Sequence, residues 1–164
     1  MDKKILYIDM DGVIADFEKG IKSYDPTLEI SDKLPNWEER EKRVDDIVLR
    51  NPNFFSELEP INGALEYVNK LMEIYEVYFL STPMSSVPNS YSNKAIWIKK
   101  YFGYLAVKRL ILTHRKDLCI GHYLIDDRVK NGAGQFKGEL IPFVYSDNAW
   151  KEIYEYLIKE SFVW

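Results

Sequence analysis

Near the N-terminus, Ile5-Leu6-Tyr7-Ile8-Asp9-Met10-Asp11-Gly12-Val13 constrains this chain more than any other stretch. Four apolar residues run unbroken into Asp9. A run of that kind, bounded by charge and glycine, fits a strand buried on both faces of a parallel sheet. Asp9 then stands at the strand's carboxyl end, where open α/β sheets bind their ligands. Side chains alternate along a strand, so Asp9 and Asp11 face the same way if the extended geometry persists. Gly12 lets the backbone turn sharply and approach a ligand. Two carboxylates held together repel, so one takes a proton or a cation sits between them. Mg²⁺ prefers oxygen ligands and is commonly held by one or two carboxylates plus substrate phosphate. The same pair could supply a nucleophile and a general acid–base. A solvated turn or a helix cap is the bland alternative.

The rest of the chain places that strand in an alternating pattern. Ile14 to Tyr24 reads as a helix, with Ile14, Phe17 and Ile21 on one face. From Thr27 to Pro60 the sequence is polar and has no strand-like run; Glu38 to Arg50 has helical spacing at Val44, Ile47 and Val48. From Gly63 onward helices and strands alternate. Ala64 to Tyr75 has a helical period, Val77-Tyr78-Phe79-Leu80 is a second buried strand, and Asn93 to Phe102 is a helix closed by Gly103. Leu110-Ile111-Leu112 and Tyr123-Leu124-Ile125 are further strands, and Trp150 to Ile158 is a last amphipathic helix. Leu140 to Tyr145 reads as a fifth strand, which Pro142 pushes to the sheet edge. This alternation predicts an α/β fold with a Rossmann-like parallel sheet. Residues 1–15 and 61–164 form the core, and 16–60 a small helical cap inserted after the first strand.

Polar residues gather where the first four strands end: Asp9 with Asp11, Ser81 with Thr82, Lys116 just after the third strand, and Asp126 with Asp127. Neighbouring parallel strands bring those ends into one crevice. Carboxylates so grouped need a divalent cation, while hydroxyls and a lysine suit phosphate oxygens. Each piece alone has an ordinary reading as turn, surface lysine or cap; the conjunction is what carries the inference.

The motifs are similar to those of the haloacid dehalogenase superfamily. Asp9-Met10-Asp11-Gly12-Val13 resembles its first motif, Ser81 its second, Lys116 its third and Asp126-Asp127 its fourth. Ala15-Asp16-Phe17, Phe54-Phe55 with Glu57-Leu58-Glu59-Pro60, Trp97 to Gly103, Ile111-Leu112-Thr113 and Leu124 to Arg128 narrow the resemblance to the 5′(3′)-deoxyribonucleotidases. The resemblance implies that Asp9 attacks phosphorus and forms an aspartyl-phosphate. It implies that Asp11 first protonates the leaving oxygen and then deprotonates the hydrolytic water. Mg²⁺ would be held by Asp9, by the Asp11 main-chain carbonyl and by Asp127, with Asp126 close by or acting through water. Ser81, Thr82, Lys116 and Lys94 would bind the phosphoryl group. Phe17, Trp37, Met84 and His114 would meet the base or sugar, and Leu49 stands where the family has a base-packing aromatic.

Composition fits this reading. The net charge of −4 lacks the basic excess of a nucleic-acid binder, and the expected partner is a small phosphomonoester, a deoxynucleoside monophosphate, rather than a polymer or a membrane. Self-association is left open. Cys119 is the one cysteine, which fits a reducing, cytoplasmic compartment, and the first apolar run is too short for a signal peptide or a membrane span. Three rivals remain. A phosphatase of another small metabolite keeps the motifs and changes the cap. A phosphoacceptor receiver domain has its acceptor Asp on a middle strand and has no place for the insert. A non-catalytic nucleotide-binding protein has no evident use for Asp11.

Overall fold

The computed structural model describes residues 2–29 and 35–161. The segment 30–34 of the expected insert lies outside the described residues. A five-stranded sheet of order β3-β2-β1-β4-β5 is parallel throughout. It comprises β1 (Ile5–Ile8), β2 (Glu76–Ser81), β3 (Leu110–Leu112), β4 (Tyr123–Asp126) and β5 (Glu139–Pro142). The central strand is the uninterrupted apolar run: Ile8 pairs with Phe79 of β2 on one side and Ile125 of β4 on the other. This register brings the ends of β1, β2 and β4 together, with Asp9 N–H donating to Ile125 O at 2.9 Å. Strand β5 is at the edge, as Pro142 requires, and it stops at that residue rather than running on to Tyr145.

Between β1 and β2 the chain forms α1 (Phe17–Lys22), α2 (Trp37–Arg50), α3 (Phe54–Glu57) and α4 (Ala64–Ile74). Helix α1 is shorter than the helix the apolar spacing suggests over Ile14 to Tyr24. The reason is local: Gly12 adopts φ +78°, Val13 to Ala15 close a turn on Met10 O, and Asp16 caps the helix by accepting from Lys19 N–H at 3.0 Å. The chain leaving β1 and the chain returning to α4 run side by side. Asp16 N–H donates to Glu59 O, and Ile61 N–H donates to Ile14 O, both at 2.8 Å.

After β2 come α5 (Asn89–Phe102), α6 (Tyr104–Val107) and, after β5, α7 (Ala149–Ser161). Helix α3 packs on α5, and α4 on α7. Two buried indoles tie the segment between β1 and β2 to the helices that follow. Trp97 Nε1 donates to Leu58 O at 2.8 Å, and Trp150 Nε1 donates to Val13 O at 2.9 Å. Leu6, Ile8, Val77, Phe79 and Ile125 lie in the core between these layers. Among the described residues, no helix is long and apolar enough to cross a membrane.

Candidate active site

The ends of β1, β2 and β4 open into a cleft of about 1480 Å³. Asp9, Asp11, Thr82, Lys116, Asp126 and Asp127 line its floor, and Phe17, Trp37 and Phe55 approach from the insert. Asp9, Asp126 and Asp127 each offer a carboxylate oxygen, all within 4.8 Å of one another. Lys116 is almost fully buried and lies between two of them: its Nζ is 2.9 Å from Asp9 Oδ1 and 2.5 Å from Asp126 Oδ2. Burial works against the Lys116 ammonium, but Asp9 and Asp126 together outweigh it and raise its pKa.

The carboxylates outnumber the ammonium. Burial first, and then Asp9, push Asp126 up to about 6 and Asp127 up to about 7. Arg128 offsets part of this, standing 3.9 Å from Asp127 on the solvent side. Three carboxylates against one buried ammonium leave an excess of negative charge, which a divalent cation is suited to balance. The backbone also makes room for such a site. A Cβ on Gly12 would lie 2.4 Å from Asp127 Oδ2, so only glycine admits that carboxylate against the β1 turn. An all-oxygen set of this charge fits a hard cation such as Mg²⁺.

The two oxygens of Asp126 are both engaged, one by Lys116 Nζ and the other by the Arg128 backbone N–H at 3.0 Å. Asp11, two residues beyond Asp9, has a different partner. Its Oδ2 is 2.5 Å from Lys94 Nζ, which also donates to Ser81 Oγ at 2.9 Å. Burial raises the Asp11 pKa, and Lys94 counters part of that rise.

Of the residues the sequence nominated, Asp9, Asp11, Thr82, Lys116, Asp126, Asp127, Phe17, Trp37, Met84 and His114 all line the one cleft. Ser81 and Lys94 are buried behind Asp11 instead of on the cleft wall. The Thr82 hydroxyl donates to Thr113 O at 2.8 Å. Leu49, half exposed, is not on the cleft wall. Phe55, which sequence reasoning named only as part of a matching segment, lines the cleft. Its ring is roughly parallel to that of Phe17, 6.0 Å away at 20°, and Lys94 Nζ lies 4.9 Å from its centroid.

Residues 3–157 match the family model for 5′ nucleotidase, deoxy (pyrimidine), cytosolic type C. The chain belongs to the 5′(3′)-deoxyribonucleotidase family, a family of phosphoric monoester hydrolases. A Vibrio phage KVP40 protein bearing the 5′(3′)-deoxyribonucleotidase name is 41% identical over 163 residues, covering 98% of this chain and 88% of that one. A Staphylococcus epidermidis relative of the same name is 31% identical over 165 residues, covering 94% and 90%. The human cytosolic-type 5′(3′)-deoxyribonucleotidase is 31% identical over 138 residues, covering 74% and 69%. Among solved structures, the HAD-hydrolase YfnB of Bacillus subtilis, bound to magnesium, superposes with a TM-score of 0.59 at 12% identity, covering 96% of this chain and 99% of that one. A haloacid dehalogenase-like hydrolase from Burkholderia xenovorans gives 0.52 at 13% identity, over the whole of both chains. These two share the fold: a haloacid dehalogenase-like α/β core, as the motifs implied.

Proposed function

We propose that this chain is a Mg²⁺-dependent phosphatase of deoxynucleoside monophosphates that works through an aspartyl-phosphate on Asp9. The observation that carries the reading is the joint placement of Asp9, Lys116, Asp126 and Asp127 on one floor, with Asp11 beside them on a separate support. Asp9 is the nucleophile: its oxygen attacks phosphorus while the bond from phosphorus to the leaving oxygen breaks. Asp11 gives that leaving oxygen a proton. Water then attacks the same phosphorus, Asp11 takes a proton from it, the bond to Asp9 breaks, and inorganic phosphate leaves. Lys116 holds Asp9 in place and brings positive charge to the transferring oxygens.

Asp9 and Asp127 would hold the cation directly, and Asp126, with its oxygens already engaged, would act through water. When bound, Mg²⁺ supplies charge neutralisation for the phosphoryl group. Uncatalysed monoester hydrolysis is so slow that enzymes supply accelerations of up to ~10²¹-fold, which explains the concentration of charge here. Residues 16–60 act as the cap: Phe17, Trp37 and Phe55 form the aromatic side of the cleft, suited to a planar base, and Met84 and His114 approach from the core. The family match and the relatives' names support a nucleotide as the substrate.

The test is phosphate release from a panel of phosphorylated metabolites with and without Mg²⁺. Release from dUMP or dTMP, lost in Asp9→Asn with the fold retained, is the expected result. Full activity in Asp9→Asn refutes the nucleophile. Activity on sugar phosphates with none on any nucleotide replaces the substrate class and leaves the chemistry standing.

A further inference from the structure

Asp9 and Asp11 are two residues apart, yet their ion-pair partners differ. Asp9 shares Lys116 with Asp126, whereas Asp11 is held by Lys94, a residue of α5 that is 1% exposed. The Lys94 ammonium is fixed on three sides. It is 2.5 Å from Asp11 Oδ2, 2.9 Å from Ser81 Oγ, and 4.9 Å from the centre of the Phe55 ring. A lysine that completely buried is uncommon without a specific partner, and removing one member of such a pair leaves the other carrying an uncompensated charge. Ser81 Oγ, also buried, accepts from Lys94 and so sets the direction of the ammonium. Family resemblance would make both residues phosphate ligands. The contacts with Asp11 and Ser81 give Lys94 a further task beside that one.

Resting on the phosphatase reading above, we propose that Lys94 is a positioning residue: with Ser81 and Phe55 behind it, it anchors one oxygen of Asp11 so that the other faces the leaving group. With Oδ2 tied to Lys94, Oδ1 is the oxygen left to carry the proton to the substrate. Phe55 adds a link to the substrate pocket, since it faces both Lys94 and the Phe17 ring. A base seated against those aromatics would press on the residue that orients Asp11. The first chemical step is the one that depends on this orientation: the phosphorus–oxygen bond breaks and the leaving oxygen takes its proton from Asp11.

The experiment uses leaving-group dependence. A nucleoside alkoxide needs a proton as it leaves, and a correctly placed general acid contributes ~10²–10⁴-fold to such a step. Nitrophenolate is stable without one. In Lys94→Met, kcat/KM for dUMP or dTMP should fall by about 100-fold or more. Its kcat/KM for p-nitrophenyl phosphate should fall far less, so that the ratio of the two drops by at least ~30-fold. Pre-steady-state release of nitrophenolate should show a burst, because Asp11 then handles the hydrolytic water poorly as well. Equal losses on both substrates, or a rise in KM alone with phosphate inhibition weakened in step, overturn the proposal in favour of a phosphate ligand. Wild-type protein with no phosphatase activity takes down the underlying reading and the proposal together. Where far-UV circular dichroism shows Lys94→Met unfolded, Lys94→Gln keeps a donor to Asp11 and should show the same split to a smaller degree; equal losses there overturn the proposal too.

Discussion

Replacing Gly12 with alanine tests whether the turn after β1 (Ile5–Ile8) exists to admit a metal ligand. Two costs are separable. The backbone holds φ at +78°, where an L-residue is disfavoured by about 1–2 kcal/mol, offset by a few tenths to ~1 kcal/mol from stiffening the unfolded chain. That leaves a net loss of about 1 kcal/mol, or roughly 2–4 °C in Tm for a chain of this size. The second cost falls on the site. The new methyl carbon would stand 2.4 Å from Asp127 Oδ2 and 3.1 Å from its Cγ. The carboxylate is the softer partner and must retreat by ~1 Å to reach ordinary van der Waals separation. Mg²⁺ requires its oxygens at about 2.0–2.1 Å in near-octahedral geometry, so a retreat of that size removes Asp127 as a ligand. Half-saturating Mg²⁺ should rise by about 10–100-fold, measured by titrating activity and by calorimetry. Affinity for Ca²⁺, which tolerates longer and more irregular coordination, should fall less. Gly103→Ala is the control: φ there is +87°, but a Cβ would meet nothing within 4 Å. It should lose stability with no change in metal dependence. If Gly12→Ala loses stability and its Mg²⁺ titration does not move, the turn is only a turn.

Three further outcomes are expected. Asp126 and Asp127 have folded-state pKa values raised to about 6 and about 7, so in cation-free protein their contribution to stability is present below about pH 4 and is lost as pH rises through those values. Mg²⁺ binds their charged forms, so its effect on Tm should be small at pH 5 and larger at pH 8; an equal effect at both pH values in differential scanning calorimetry contradicts the cluster as the binding site. Trp150→Phe leaves Val13 O without its buried donor and should cost about 1–3 kcal/mol by urea denaturation, with a loss under ~0.5 kcal/mol counting against the indole as the fastener of the β1 turn. Phe17→Ala should raise KM for nucleotides much more than for p-nitrophenyl phosphate, and a parallel rise in both would mean that the aromatic wall packs the insert instead of a base.

The centre of the sheet was readable because its strands Ile5–Ile8, Glu76–Ser81 and Tyr123–Asp126 are largely buried. Such strands are continuous apolar runs, and the polar residues that end the runs, Asp9, Ser81 and Asp126, mark the carboxyl ends of the strands. Pro142 likewise placed β5 (Glu139–Pro142) at the edge, since it has no N–H to give a neighbour. Local turn chemistry was harder to read. Ile14 has helical spacing with Phe17 and Ile21, but it is buried within the turn that Gly12 starts, and the helix waits for the Asp16 cap. The short helix Phe54–Glu57 escaped notice because four residues show no period; its position comes from packing on the helix Asn89–Phe102. For the same reason the aromatic wall was only half legible. Phe17 follows the β1 turn at close range, whereas Phe55 reaches the cleft only through tertiary contacts.

Lys94 shows where sequence reading stops and why. In Asn93-Lys94-Ala95-Ile96-Trp97 it looks like an ordinary helical lysine, and nothing local tells it from the exposed Lys99 and Lys100 one turn later. Its burial comes from outside the helix, from Phe55 above, Ser81 beside and Asp11 in front. The consequence is chemical. Two carboxylates on one strand end would ordinarily share one environment and one titration. Here a separate lysine serves each: Lys116 joins Asp9 to the acidic cluster, and Lys94 pairs with Asp11. On the proposed reading, this keeps Asp9 with charges that suit a nucleophile toward phosphorus and leaves Asp11 with one anchored oxygen. Dividing a matched pair of aspartates into different duties takes different surroundings, since the side chains themselves are identical. Removing either support should therefore do more damage than one ion pair suggests: Lys94→Met should cut nucleotide turnover by about 100-fold or more and Lys116→Met should abolish it, but only Lys116→Met should also change metal binding by calorimetry. Equal effects on metal binding would mean that the two carboxylates belong to one cluster after all.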